Sequence, residues 1–174
     1  YLTLGNHLYD LGKLDEAIAH YQQALVLKFN SPEVHNNLGL SLQAKGQWET
    51  AQKHFEHALT FKPNFAEAHN NLGNLLQHQE NLVAAREHYE EALHLKPEFA
   101  EAHCNLGTVF KAAGNLEAAV KHYEQALSHS PNLSNAHNNL GTVFQEQGQL
   151  ARALQHYERA LLLNPKDADI HNNL

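Results

Sequence analysis

The chain has 174 residues, 43% of them hydrophobic, with 12 Lys+Arg against 19 Asp+Glu and a formal net charge of −7. That balance offers no basic field for a phosphate backbone, which argues against nucleic acid as a partner. No apolar run approaches the ~18 residues of a membrane span, which argues against membrane insertion. The single cysteine, Cys104, excludes an internal disulfide and fits a reducing compartment, so a cytoplasmic location is expected.

In chain order, the first element is a helix over 1–11 carrying Gly5, followed by a turn at Gly12 and a second helix over 15–28. The same arrangement then recurs. Gly5, Gly39, Gly73, Gly107 and Gly141 are each 34 residues apart, and "HNNLG" stands at His35–Gly39, His69–Gly73 and His137–Gly141. Ala17, Ala51, Ala85, Ala119 and Ala153 keep the step, as do Ala24, Ala58, Ala92, Ala126 and Ala160. Tyr21, Phe55, Tyr89, Tyr123 and Tyr157 form an aromatic series, and Pro63, Pro97, Pro131 and Pro165 a breaker series. A fixed period in this range marks a solenoid of stacked supersecondary units. The remaining pairs are expected at 32–45/49–61, 66–79/83–95, 100–113/117–129 and 134–147/151–163, with a fragment from 168.

Each unit reads as two antiparallel helices. Ala85, Tyr89, Ala92 and Leu93 follow the i, i+4, i+7, i+8 spacing of one buried stripe. Lys96-Pro97 closes that helix, because proline cannot continue it. Glycine usually fills the short turn (Gly12, Gly46, Gly114, Gly148), where it ends a helix without steric cost. Gly39 and its equivalents are expected to face the alanines of the partner helix. The aromatic beside them fills the remaining space and contributes roughly 2–3 kcal/mol by burial.

With Leu-Gly, Ala, an aromatic, Ala and Pro at these offsets, the whole chain resembles the tetratricopeptide repeat. The resemblance implies an all-α fold, an α-solenoid wound as a right-handed superhelix, with 1–174 as a single array. Its units are a partial repeat 1–31, repeats 32–65, 66–99, 100–133 and 134–167, and a partial repeat 168–174. Residue 1 falls at the fourth place of a unit and residue 174 at the seventh, so the chain is expected to be cut from something longer. The sequence departs from the family at several points. Histidine (35, 69, 103, 137, 171) replaces the usual first-helix aromatic, which survives only as Tyr1. Phe29 stands where proline is expected, and Glu80 replaces the turn glycine.

In the family, first helices line a concave groove that grips a protein or peptide. By that resemblance the groove is lined by Asn36, Asn37, Asn70, Asn71, Asn74, Gln77, Asn105, Thr108, Lys111, Asn138, Asn139 and Thr142. The series Asn37, Asn71, Asn105, Asn139 would meet both N–H and C=O of an extended peptide, since a carboxamide donates and accepts. Such an asparagine ladder resembles that of O-GlcNAc transferases, and a substrate-recognition region of such a glycosyltransferase is the alternative to a free-standing scaffold. The same amides could instead bond neighbouring helices. A clamp for carboxylate termini is unsupported, because Lys111 is the one cation among these groove residues.

No nucleophile elbow, phosphate loop or paired-carboxylate site is present, so this segment is not expected to be an enzyme, and no cofactor is expected. The 15 histidines include a second periodic series, His20, His54, His88, His122 and His156. They read as half-buried hydrogen-bonding rings rather than metal ligands, because no second ligand type accompanies them at zinc-site spacing. His54 and His57, at i, i+3, could share an adventitious ion. Cys104 reads as inert filler. The apolar stripe ending in Leu161, Leu162 and Leu163 lacks a polar cap, so end-to-end self-association is expected.

Overall fold

The computed structural model describes residues 1–28 and 30–173, so Phe29, the departure from proline, and Leu174 lie outside the described residues. Eleven helices are described: α1 (Leu2–Asp10), α2 (Leu14–Leu27), α3 (Pro32–Ala44), α4 (Trp48–Phe61), α5 (Ala66–His78), α6 (Leu82–Leu95), α7 (Ala100–Ala112), α8 (Leu116–His129), α9 (Ser134–Glu146), α10 (Leu150–Leu163) and α11 (Ala168–Asn173). No strand occurs among the described residues. The helices fall into two units, Tyr1–Leu95 and Lys96–Leu174. In the first, α1/α2, α3/α4 and α5/α6 pair, and α2 packs on α3 and α4 on α5. In the second, α7/α8 and α9/α10 pair, α8 packs on α9 and α10 on α11. Each unit is all-α and of α-solenoid architecture.

The turn chemistry sets the boundaries. After each first helix one residue adopts a left-handed conformation: Gly12 (φ 72°), Gly46 (74°), Gly114 (77°) and Gly148 (73°). The next residue then donates to a carbonyl five places back, as Lys13 N–H to Leu8 O at 2.9 Å and Asn115 N–H to Phe110 O at 2.9 Å. This Schellman-type closure satisfies a carbonyl that the helix leaves orphaned. Being so short, it starts each second helix one residue earlier than the sequence pattern implies. Glu80 makes the same turn at φ 62°, where its β-carbon is crowded.

The small residues make room for the aromatic rings. Ala17, Ala51 and Ala85 are fully buried, as expected. A β-carbon on any of the helix glycines would meet an aromatic ring first. A β-carbon on Gly39 would sit 2.6 Å from Phe55 Cε1, and one on Gly73 2.6 Å from Tyr89 Cε1. In the second unit Gly107 faces Tyr123 and Gly141 faces Tyr157 at 2.7 and 2.5 Å. The glycine is therefore a flat seat for a ring that is itself wholly buried.

Candidate functional site

The first-helix amides are bonded from repeat to repeat. In the first unit Asn37 Nδ2 on α3 donates to Asn6 Oδ1 on α1 at 2.9 Å, and the Tyr21 hydroxyl donates to the same oxygen at 2.9 Å. Asn36 Nδ2 donates to Asn37 Oδ1 at 3.2 Å. Asn71 Nδ2 on α5 reaches back to Asn36 Oδ1 at 2.9 Å. Leu40 occupies the register of Asn6, so it offers Asn71 no oxygen, and Phe55 occupies the register of Tyr21. The apolar pair replaces the hydroxyl–amide pair as a set. In α5 and α6 the polar version returns, with the Tyr89 hydroxyl 2.8 Å from Asn74 Oδ1 and 2.9 Å from Gln77 Oε1.

The second unit repeats the scheme with a hydroxyl. Thr108 Oγ1 accepts from the Tyr123 hydroxyl at 3.2 Å and from Asn139 Nδ2 at 3.4 Å. Asn139 Nδ2 also lies 3.8 Å from Cys104 Sγ, and Asn173 Nδ2 donates to Asn138 Oδ1 at 3.0 Å. Thr142 Oγ1 donates to the Asn138 carbonyl at 3.1 Å. Lys111 is ion-paired with Glu146 at 3.5 Å.

These contacts sort the expected groove residues. Asn37, Asn71, Asn74, Gln77, Asn105, Thr108, Lys111, Asn138, Asn139 and Thr142 are half-buried. Asn36 and Asn70 are only 5% and 6% exposed. They sit deeper than the half-buried residues, rotated about 100° around the helix from Asn37 and Asn71, whereas Asn138 in the same register stays half-buried. Cys104 occupies the same register and is buried too, and burial pushes its thiol up to about 12, an unreactive range.

Asn37 opens onto a cleft of about 260 Å³ shared with Asn6, Tyr9, Asp10, Tyr21 and Leu40. A neighbouring cleft of about 490 Å³ is lined by Tyr9, Leu40, Gln43, Ala44, Gly46 and Trp48. The Trp48 indole stacks on His78 with centroids 3.9 Å apart and planes inclined at 14°. Tyr9, Asp10 and Trp48 were not among the residues singled out by the sequence. Tyr9 shares the register of the expected groove residue Gln77, and Asp10 follows it, which is the signal that projecting the groove onto the first, incomplete repeat would have used.

The two histidine series meet as pairs. His35 and His54 place Nδ1 atoms 3.0 Å apart, as do His69 and His88, while His103/His122 and His137/His156 do so at 3.1 Å. His69 Nε2 lies 2.9 Å from the Pro63 carbonyl, His103 Nε2 3.0 Å from Pro97 and His137 Nε2 3.1 Å from Pro131. A carbonyl only accepts, so those Nε2 atoms carry the proton and Nδ1 is the acceptor. The partner ring must then donate from its own Nδ1. Burial lowers the pKa of His54 to about 4, and lowers those of His88, His103, His137 and His156 as well. In the first repeat Tyr1 stands in place of the first ring, and His20 Nδ1 is buried with no partner.

Comparison with known proteins bears on what these repeats are. Family models for the TPR repeat match residues 5–46 and 41–80, and for the tetratricopeptide repeat residues 64–129 and 98–163. No curated protein sequence matches the chain. Among solved structures, Pseudomonas aeruginosa pilF aligns with a TM-score of 0.89 at 22% identity, covering 98% of this chain and 78% of that one. TTC0263, a thermophilic TPR protein of Thermus thermophilus, gives 0.81 at 24% identity over 98% and 93%. YrrB, a TPR protein with an unusual peptide-binding site, gives 0.71 at 22% identity over 99% and 89%.

Proposed function

Because the chain belongs to the tetratricopeptide repeat family, whose members act as protein-interaction scaffolds and whose repeat is generally non-catalytic, we propose that it binds an extended peptide segment along its first helices through the amides of Asn37, Asn71, Asn105 and Asn139. The observation that carries the reading is the cleft at Asn37, where a ladder amide borders open space together with Tyr9 and Leu40. An inter-repeat bond uses one of the four hydrogen-bonding sites of a carboxamide. The same side chain can therefore brace two helices and offer hydrogen bonds to a peptide backbone. YrrB, of the same fold, has a peptide-binding site.

The test separates bracing from binding. The triple variant Asn37→Ala, Asn71→Ala, Asn139→Ala removes three amides worth a net ~0.5–1.5 kcal/mol each. Peptide affinity should then fall between tenfold and a few thousandfold. The control Asn36→Ala removes the acceptor of Asn71 but keeps the Asn71 amide, at a buried position deeper than the groove lining. Fluorescence anisotropy with a labelled library of unstructured peptides, well below the melting temperature, should show loss in the triple variant and retention in the control. Equal affinities in both, scaling only with folded fraction, would return the asparagines to a structural role.

The α10 surface supports self-association as a further property. Leu150 and Leu154, one turn apart on α10, are 66% and 48% exposed, and Leu162 is 70% exposed. Sedimentation of the 174-residue chain should show concentration-dependent dimers, weakened by Leu150→Glu with Leu154→Glu; a strict monomer at millimolar concentration contradicts it.

A further inference from the structure

The second repeat differs from its neighbours in one respect that the peptide reading does not use. His35 on α3 meets His54 on α4 as in the other pairs, but here a third ring, His57, closes on the same point. One ligand nitrogen from each of the three lies within 4.8 Å of the others. The ring centroids of His35 and His57 are 5.2 Å apart and edge-on, and Phe61 stacks on His35 at 5.7 Å. In the registers of His57 the other repeats carry Gln23, Glu91, Gln125 and Arg159. Among the described residues this is the one cluster of three or more potential ligands that meets.

We propose that His35, His54 and His57 bind a borderline divalent cation, zinc in the first instance, as a three-imidazole site whose fourth position opens to water. The geometry is close to what the ion requires. Two nitrogens at 2.0–2.1 Å from one tetrahedral zinc lie roughly 3.3 Å apart, and the His35 and His54 Nδ1 atoms already stand 3.0 Å apart. His54 and His57, three residues apart on α4, share a helix face. His57 is exposed, so its ring can rotate the last distance and leave solvent at the open position. His35 is buried and fixed by its neighbours, which supplies the rigid half of the site.

The proton balance is neutral. Of the two hydrogen-bonded rings, the one that donates from Nδ1 shifts that proton to its own Nε2, and both Nδ1 lone pairs then face the metal. No proton leaves the protein. The neutral imidazole is the form that ligates. A bound ion would clip α3 to α4, and α3 also carries Asn36 and Asn37. It would act as a local staple on the second repeat. Imidazole donors favour zinc, copper and nickel over magnesium or calcium, whose preference is for oxygen.

The full 174-residue chain, stripped with chelator, is titrated with Zn²⁺ against a chromophoric competitor and with Co²⁺ for its ligand-field spectrum. One equivalent should bind at micromolar affinity or tighter, with a tetrahedral cobalt spectrum and loss of the His35–His54 imidazole hydrogen-bond signature in ¹⁵N NMR. His57→Gln, the residue that the first and fourth repeats carry at this place, should fold normally and weaken binding at least about tenfold. Zinc should raise the melting temperature of the parent more than that of His57→Gln. Absence of binding at tens of micromolar zinc, or equal affinity in parent and His57→Gln, overturns the proposal.

Discussion

The seat of Tyr89 on Gly73 makes a quantitative demand on stability. A β-carbon at Gly73 would lie 2.6 Å from Cε1, 2.9 Å from Cδ1 and 3.1 Å from Cζ of a fully buried ring. Ordinary contact needs about 3.4 Å or more, so the ring must retreat by nearly 1 Å. It has little freedom to do so, because its hydroxyl is held by Asn74 and Gln77. Overpacking of this kind costs roughly 2–3 kcal/mol. Replacing glycine by alanine inside a helix returns about 1 kcal/mol, leaving Gly73→Ala net destabilising by ~1–2 kcal/mol. The decisive comparison is Gly73→Ala in a Tyr89→Ala background, where the ring is gone and only the helix-propensity gain remains. Urea unfolding followed by circular dichroism should show the same substitution destabilising the parent and stabilising the background variant, a reversal of sign. A parent stabilised by Gly73→Ala would refute the packing argument.

Glu80→Gly should stabilise by ~0.5–1 kcal/mol, the relief of a left-handed side-chain residue less the entropy of an added glycine; a drop in the urea midpoint contradicts it. Acid should destabilise the chain. His54 titrates at about 4 when folded against roughly 6.5 when unfolded, so between these values the unfolded chain binds more protons. The stability is therefore present above about pH 6.5 and lost as pH falls toward 4. His88, His103, His137 and His156 are lowered in the same sense. The urea midpoint should fall between pH 7 and pH 5 at constant ionic strength; an unchanged or rising midpoint refutes this.

The helical pairs were legible because period and turn chemistry are local: Gly12, Gly46, Gly114 and Gly148 sit where a left-handed residue ends each first helix, and even Glu80 is visible as the exception. What faces what across a pair was not legible in the same way. A 34-residue repeat says that Gly39, Ala51 and Phe55 recur together, but it is silent on which of them meet, and the atoms nearest to a β-carbon at Gly39 prove to be those of the Phe55 ring. The histidine pairs were hidden for a similar reason. Their members lie 19 residues apart on different helices, and ligand-spacing rules look along one segment. Adjacent asparagines also look equivalent in "HNNLG", although Asn36 is buried and Asn37 reaches the cleft. One tertiary contact did leave a trace in the text. Tyr21 stands with Asn6, Tyr89 with Asn74 and Tyr123 with Thr108, while Phe55 stands with Leu40. Where the hydroxyl is lost, the acceptor is lost with it, as expected if an unpartnered buried polar group costs more than a missing bond. The repeats thus record within a single chain a contact between paired helices, whereas the reach of Asn71 to Asn36 does not depend on that substitution, because Asn173 makes the same step to Asn138 with the Thr142 hydroxyl in the Leu40 register.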